Sequence, residues 1–201
     1  MTVQEQTDAR TATTSKTSAA DWKSILLMMV NPAGVLKKRI VSVSFVWALA
    51  VSGTAFTLFF LQTGLDLNRN GKPGPLVVVL ASIGLIYGTV IVAAIAMVAW
   101  QLTRLFGGAK SLDWSIKAFA LGYSPALIYA TLGLLVNAIF HWKTAIAFGV
   151  TGMLWALGPM IAAIKEMTDQ KTALSMVIAT LCGGMLLLGW SLLSLGIGGQ
   201  V

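Results

Sequence analysis

A short segment between two apolar runs holds the residues of this sequence that most resemble a metal site. Asp66, Asn68 and Asn70 alternate along the chain and are followed by Gly71. A calcium loop begins in this way, because alternate side-chain oxygens face one ion and a glycine makes the sharp turn. The twelfth position, where a bidentate Glu belongs, is Val77. Asx and Gly residues are equally typical of a surface turn, so we predict a turn and keep calcium binding by Asp66, Asn68 and Asn70 as the second hypothesis.

Asn137 is a carboxamide well inside a long apolar run. A buried amide in hydrocarbon requires a hydrogen-bond partner, so its side chain is expected to face neighbouring helices rather than lipid. A contact between helices is the first interpretation of Asn137, and a substrate contact is the alternative.

Two prolines predict interruptions of helices. Pro125 comes two residues after Tyr123, and Pro159 directly follows Gly158. Proline cannot donate to the carbonyl four residues back, and its ring crowds that carbonyl. Paired broken helices can line a binding site in transporters, although proline kinks are also common in ordinary membrane bundles. Tyr123, Pro125 and Pro159 therefore join Asn137 as candidate positions for a structural role or a substrate contact.

No sequence motif places a nucleophile beside a base or brings several metal ligands together. His141 is the sole histidine and has no Cys, Asp or Glu beside it, and Cys182 is the sole cysteine and lies within an apolar run. A nucleophile requires a positioned base, and a metal site requires several ligands. We therefore predict that the chain is not an enzyme, with no catalytic residues, no metal and no cofactor.

The elements that position these residues are apolar helices. The sequence is 57% hydrophobic and 10% charged, against about 25% charged in globular proteins. Five runs without Asp, Glu, Lys, Arg or His reach the length of about 20 residues that a bilayer core of about 30 Å requires. The predicted fold is all-α, a polytopic membrane protein with a five-helix transmembrane domain over residues 39–201. Its predicted spans are residues 40–61, 76–100, 118–140, 144–164 and 173–196.

Small residues within two of these runs predict close helix packing. Ala81, Gly84 and Gly88 lie at helical spacing in the second run, and Gly152 and Ala156 do so in the fourth. Such residues allow two backbones to approach closely.

The amino-terminal segment has two parts. Residues 1–20 are polar and rich in Thr, Ser and Ala, which predicts a disordered tail. Trp22, Ile25 and Leu26 begin an apolar stripe at helical spacing, and Asn31 followed by Pro32 is typical of a helix start. We predict two interfacial amphipathic helices over residues 21–38, which anchor the chain to the membrane surface or provide a partner-binding face.

The distribution of Lys and Arg predicts the orientation. Of fourteen such residues, eleven lie on the side of the amino terminus and three, Arg69, Lys72 and Lys143, lie on the other. The positive-inside rule then predicts a cytoplasmic amino terminus and a carboxyl terminus outside. The basic residues are scattered beside apolar runs and form no polar basic face, so nucleic acid is not a predicted partner.

One stretch resembles a known family. Gly107-Gly108-Ala109-Lys110 and the later Leu121-Gly122-Tyr123-Ser124-Pro125 resemble the Yip-one family of Ypt/Rab-interacting membrane proteins. The resemblance implies a cytoplasmic amino-terminal segment, five spans and a carboxyl end outside or in the lumen. The Asp-Leu-Tyr-Gly-Pro motif of eukaryotic members does not occur in the sequence, so the chain is similar to prokaryotic relatives. For those, the family implies a membrane protein without an assigned reaction. The expected location is the bacterial inner membrane.

Two functions are therefore expected as alternatives. The first is a non-enzymatic Yip-like membrane protein that acts in membrane organisation or as a partner of other membrane components. Its partners would be the lipid bilayer, other membrane proteins, or itself as a homo-oligomer. The second is a small transporter or lipid-handling protein for a neutral or lipid substrate. Predicted spans without ionisable residues disfavour ion-coupled transport.

Overall fold

The computed structural model describes the backbone of residues 22–198 and the side chains of residues 22–185. Every regular element in this part of the chain is helical, which confirms the all-α class. The predicted tail, residues 1–20, lies outside the described residues. The helices are α1 (residues 22–30), α2 (Pro32–Lys38), α3 (Phe45–Arg69), α4 (Pro75–Leu105), α5 (Leu112–Gly122), α6 (Ser124–Phe140), α7 (Ala145–Met167) and α8 (Thr172–Gly198).

Four helical stretches among the described residues are long and apolar enough to cross a membrane. They are α3, α4, the stretch Leu112–Phe140 that contains α5 and α6, and α7. The first part of α8, Thr172–Met185, is also apolar, and the rest of the predicted fifth span has no described side chains. These helices identify the chain as an integral membrane protein of the all-helical class.

The α3 helix continues beyond the predicted boundary at residue 61 and ends at Arg69. Asp66 and Asn68 are therefore helical, and the predicted turn begins only after Arg69, with Gly71 at a φ of 87°. The prediction ended the span where the apolar run ended. The backbone nevertheless stays helical because its polar side chains find partners on other helices, as described below.

One of the two predicted helix breaks is confirmed and the other is wrong. The α5 helix ends at Gly122 and α6 begins at Ser124, with Pro125 in the first turn of α6, where its missing N–H costs no hydrogen bond. The α7 helix runs through Pro159 without interruption. Pro159 is buried there beside Gly122, since a Cβ on Gly122 would lie 3.8 Å from the Cβ of Pro159. A neighbouring helix thus packs over the proline, which helps a membrane helix to tolerate it.

The centre of the bundle is α5. Every residue from Trp114 to Ala126 is buried, across the end of α5 and the start of α6. Helices α3, α4 and α7 all pack against α5. Ser111 begins α5 as an N-cap, accepting a hydrogen bond from the backbone N–H of Trp114 at 3.2 Å. The middle of the bundle is therefore filled by a helix.

Small residues bring α3 and α4 into backbone contact, as predicted. A Cβ on Gly84 would lie 2.6 Å from the carbonyl oxygen of Phe56, and a Cβ on Gly88 would lie still closer to that of Ser52. Gly88 is part of a π-helical turn, Tyr87–Ile91, within α4. In lipid, such close approach supplies the dispersion energy that holds helices together.

The two ends of the bundle differ in the number of Lys and Arg residues that they carry. At one end, here called the basic end, Lys37 of α2 pairs with Glu166 near the end of α7 at 3.4 Å. The Lys171 ammonium donates to the carbonyl of Phe106 at the same end, at 3.4 Å. At the other end, here called the Arg69 end, the 70–74 and 141–144 connections meet.

We predict that Gly88→Ala destabilises the protein. The added methyl would meet the Ser52 carbonyl, and overpacking typically costs about 1–3 kcal/mol. Gly183→Ala in α8 is the matched control, because nothing lies within 4 Å of its Cβ position. Thermal unfolding of the purified variants in detergent measures the difference. Equal melting temperatures for both variants would contradict the assigned α3–α4 contact.

Candidate functional site

Asn137 joins two charged side chains of α3 at the Arg69 end. Its Nδ2 donates to Asp66 Oδ1 at 3.1 Å, and its Oδ1 accepts from Arg69 Nη2 at 2.9 Å. Asn137 is 2% exposed. Asp66 and Arg69 are three residues apart and so lie on the same face of α3. A carboxamide has one donor side and one acceptor side, so it matches a carboxylate and a guanidinium at this spacing.

The same three side chains hold the connection between α6 and α7. Arg69 Nη1 and Asn137 Nδ2 both donate to the Trp142 carbonyl, each at 3.0 Å. The second carboxylate oxygen of Asp66 accepts from the backbone N–H of Ala145 at 3.0 Å. Ala145 is the first residue of α7, whose first N–H groups have no partner within the helix. Asp66 therefore caps α7 from α3, where a negative charge is favoured by the helix dipole.

Gln62 extends this network towards the interior. Its side chain is fully buried, its Nε2 donates to the carbonyl of Ala130 on α6, and its Oε1 lies 3.4 Å from the Thr144 hydroxyl. The sequence prediction missed Gln62 because its first span ended one residue earlier. A usable signal was present, since Gln62, Asp66 and Arg69 lie at i, i+4 and i+7, the spacing of a single helix face. We call Gln62, Asp66, Arg69 and Asn137 the polar stripe.

The residues of the calcium hypothesis have separate partners. Asp66 faces Asn137 and Ala145, as described, whereas the Asn68 side chain donates to the Lys72 carbonyl at 2.9 Å. The Asn70 side-chain oxygen accepts from the Lys143 ammonium at 2.6 Å. Among residues with described side chains, no group of three or more His, Cys, Asp and Glu side chains is placed to hold a metal ion.

His141 ends α6 in the left-handed conformation, with a φ of 56°. Its side chain is exposed, and its Nδ1 lies 3.5 Å from Arg69 Nη2. The imidazole therefore borders the polar stripe on the outer side of the connection.

Tyr123 lies far from Asn137. Because an α-helix rises about 1.5 Å per residue, the two side chains are separated by roughly 20 Å along α6. Tyr123 is buried, and its ring packs edge-on against Phe56, with centroids 4.8 Å apart. Phe56 in turn contacts Tyr87 at 5.1 Å. The predicted site residues therefore divide into the polar stripe, which contains Asn137, and a core region with Tyr123, Pro125 and Pro159.

The hydrogen bonds of the polar stripe hold neighbouring helices together. The Asn137 amide, the Asp66 carboxylate and the Arg69 guanidinium are each bonded to protein groups, and hydrogen bonds to ionised groups are about twice as strong as neutral ones. These bonds connect α3, α6 and the start of α7. The arrangement favours the structural role of Asn137 over a substrate contact.

A scan against protein-family models, a search of the curated proteins and a search of the solved structures each give no match for this chain.

We predict that Asn137→Leu lowers stability markedly. Leucine is apolar and has no cost in hydrocarbon, but it would leave Asp66 and Arg69 without their amide partner. Hydrogen bonds to charged groups contribute about 1.5–3 kcal/mol each. Thr131→Val is the matched control, because the Thr131 hydroxyl is exposed and bonds only within its own helix, to the Leu127 carbonyl. Unfolding by denaturing detergent would measure both variants. An Asn137→Leu protein as stable as the control would show that the network adds nothing.

Proposed function

We propose that this chain is a non-enzymatic membrane protein that organises the membrane by binding other membrane components through the outer faces of its helices. The observation that carries this proposal is an exposed tryptophan halfway along α7, Trp155, stacked on the half-buried Tyr129 of α6. Trp155 is 54% exposed, and its ring stacks on that of Tyr129, with centroids 6.4 Å apart and planes at 20°.

The depth of this pair is unusual for lipid-facing residues. Trp155 lies near the middle of Ala145–Met167, so it would sit near the middle of the bilayer rather than at its surface. Trp and Tyr normally concentrate at the two membrane–water interfaces, where the ring is in lipid and the polar atom is in water. An aromatic pair at mid-depth, with an indole N–H that hydrocarbon cannot satisfy, favours a protein partner.

The surroundings of Trp155 also suit a partner helix. Leu154 is 60% exposed, and Gly158 has open space around its Cβ position. Gly158 follows Leu154 at i+4, so both lie on the same side of α7. A small residue beside large apolar ones allows another transmembrane helix to approach closely. The partner would be another membrane protein or a second copy of this chain.

The interior supports this proposal over a transporter. The central helix α5 is buried on all sides from Trp114 onward, and the polar stripe is bonded internally. A binding site for a transported solute would need groups that turn towards that solute. The functional surface is therefore the outside of the bundle.

The proposal includes five spans, with the basic end in the cytoplasm of a bacterium and the carboxyl terminus outside the inner membrane. The Yip-like stretch supports it through its geometry. Gly107 has a φ of 89° after α4, and a Cβ on Gly108 would lie 2.6 Å from the Met167 carbonyl at the end of α7. The glycines of the resembling motif thus make the tight turn that leads into α5.

Single cysteines would test the topology. On a Cys182→Ala background, an impermeant maleimide should label Pro73→Cys and Gln200→Cys in intact cells. Ala109→Cys, at the basic end, should react only after permeabilisation, because most Lys and Arg residues remain inside. Labelling of Gln200→Cys only after permeabilisation would contradict five spans.

Photo-crosslinking would test the partner surface. A benzophenone amino acid at Leu154 should give a discrete protein adduct in cells, and Trp155→Leu should reduce its yield severalfold. Val90 is the matched control, since it is 58% exposed and belongs to a different helix, α4. Co-expression of two differently tagged copies distinguishes a homo-oligomer from another protein.

Two results would contradict the proposal. One is crosslinking from Leu154 only to lipid, as from Val90. The other is movement of a solute or lipid across liposomes that contain the purified protein and not across empty liposomes. That outcome would establish the transporter alternative.

A further inference from the structure

The short helix α1 carries apolar side chains on two opposite faces. Ile25 and Met28 are 3% and 0% exposed and face the bundle. Trp22, Leu26 and Val30 follow one another at i, i+4 and i+8, and they are 58%, 62% and 84% exposed. A helix that faced water on its outer side would carry polar residues there. The outer stripe of α1, Trp22, Leu26 and Val30, therefore requires an apolar environment.

Contacts at the first residue of α1 and just after its last residue hold this helix at the basic end of the bundle. The Trp22 ring packs edge-on against Trp47 in the first turn of α3, with centroids 5.1 Å apart. Asn31 connects α1 to α2 and caps α2 by accepting from the Gly34 N–H at 2.9 Å. The Lys37–Glu166 pair then ties α2 to the end of α7. The outer stripe is thus held at the level where the spans α3 and α7 reach the membrane surface.

The two short amino-terminal helices also carry exposed basic residues. Lys23 on α1, and Lys38 and Arg39 at the end of α2, are all exposed. The nearby carboxylate of Glu166 is already paired with Lys37. Apolar and basic groups on one surface are the combination with which amphipathic helices bind anionic membranes.

The apolar surface also continues from α1 towards the spans. Val41 is 80% exposed between α2 and α3, and Val46 in the first turn of α3 is 75% exposed. Val41 and Val46 come two and seven residues after Arg39 in the chain, so the basic cluster lies at the border of the lipid-exposed surface. This continuity indicates that the same lipid that covers α3 also covers the outer stripe.

We propose that the outer stripe of α1, together with Lys23, Lys38 and Arg39, binds anionic phospholipids in the leaflet at the basic end. Trp22, Leu26 and Val30 enter the boundary between headgroups and acyl chains, and the three basic side chains contact the headgroup phosphates. This proposal rests on the proposed function in so far as the bundle spans a membrane. It adds a lipid class to the partners. A second copy seated here would instead oppose like charges, which is unfavourable.

The first test measures the depth of α1 in the full chain, in nanodiscs of phosphatidylcholine and phosphatidylglycerol. A nitroxide on Leu26→Cys in the Cys182→Ala background should collide more with oxygen than with a water-soluble nickel chelate. Ala33→Cys, exposed on α2 beside Lys37, is the matched control and should show the opposite order. Water exposure at both sites would overturn the proposal.

The second test measures lipid preference. The ratio of bound spin-labelled phosphatidylglycerol to phosphatidylcholine should fall by at least about threefold in Lys38→Gln/Arg39→Gln, because each basic residue near an anionic surface contributes about fivefold in affinity. Lys72→Gln/Lys143→Gln at the Arg69 end removes the same charge and should lower the ratio less, because the outer stripe of α1 is not beside these lysines. An unchanged ratio in the first variant would overturn the proposal.

Other occupants of the outer stripe would give distinct results. Dipolar broadening between Leu26→Cys labels would identify a second copy, and a change at Leu26→Cys on deletion of residues 1–20 would identify the amino-terminal tail. Either result would overturn lipid binding. Nanodiscs present the same lipids to both ends, so failure here is independent of the orientation and of the Trp155 partner surface, which the cysteine labelling and crosslinking in cells test separately.

Discussion

The hydrogen bonds of Asn137 to Asp66 and Arg69 are the constraint on which the Arg69 end of the bundle depends. They allow α3 to stay helical through charged residues, since each charge meets a partner on another helix instead of hydrocarbon. They also fix the start of α7, whose first N–H bonds to Asp66. Through α3, which packs on α4, α5, α6 and α7, this constraint reaches most of the molecule.

The middle of the bundle is held by a different interaction. Gly84 and Gly88 let α4 touch the backbone of α3, and α5 fills the centre. Polar bonding at the Arg69 end and close packing in the middle are complementary, because lipid offers no hydrophobic force between helices. The surfaces that we propose for binding other molecules are on the outside, at Trp155 and along α1.

The sequence predicted the helical class, the approximate positions of the four long apolar helices, the close packing at Gly84 and Gly88, and the break at Tyr123 to Pro125. Those features follow from local rules: run length, small residues and the missing N–H of proline. The polar stripe could be predicted only in part. Asn137 was recognised because it lies within an apolar run, whereas Gln62, Asp66 and Arg69 follow the end of one. Their roles depend on which helix faces them, which hydropathy does not encode. Pro159 shows the same limit, since its effect is decided by the packing of Gly122 against it.

The contact between α2 and α7 has a consequence for the order of assembly. Val35 and Leu36 are buried at the basic end, where α2 packs on α7 and Lys37 meets Glu166. Ribosomes make α2 well before Glu166, which follows it by more than a hundred residues. At about 5–20 residues per second, roughly ten seconds pass between the synthesis of α2 and the synthesis of the α7 surface that it contacts. The helices α1 and α2 are therefore the first part of the described chain to leave the ribosome. They are among the last to pack in their final position, because the four long membrane helices must be made first.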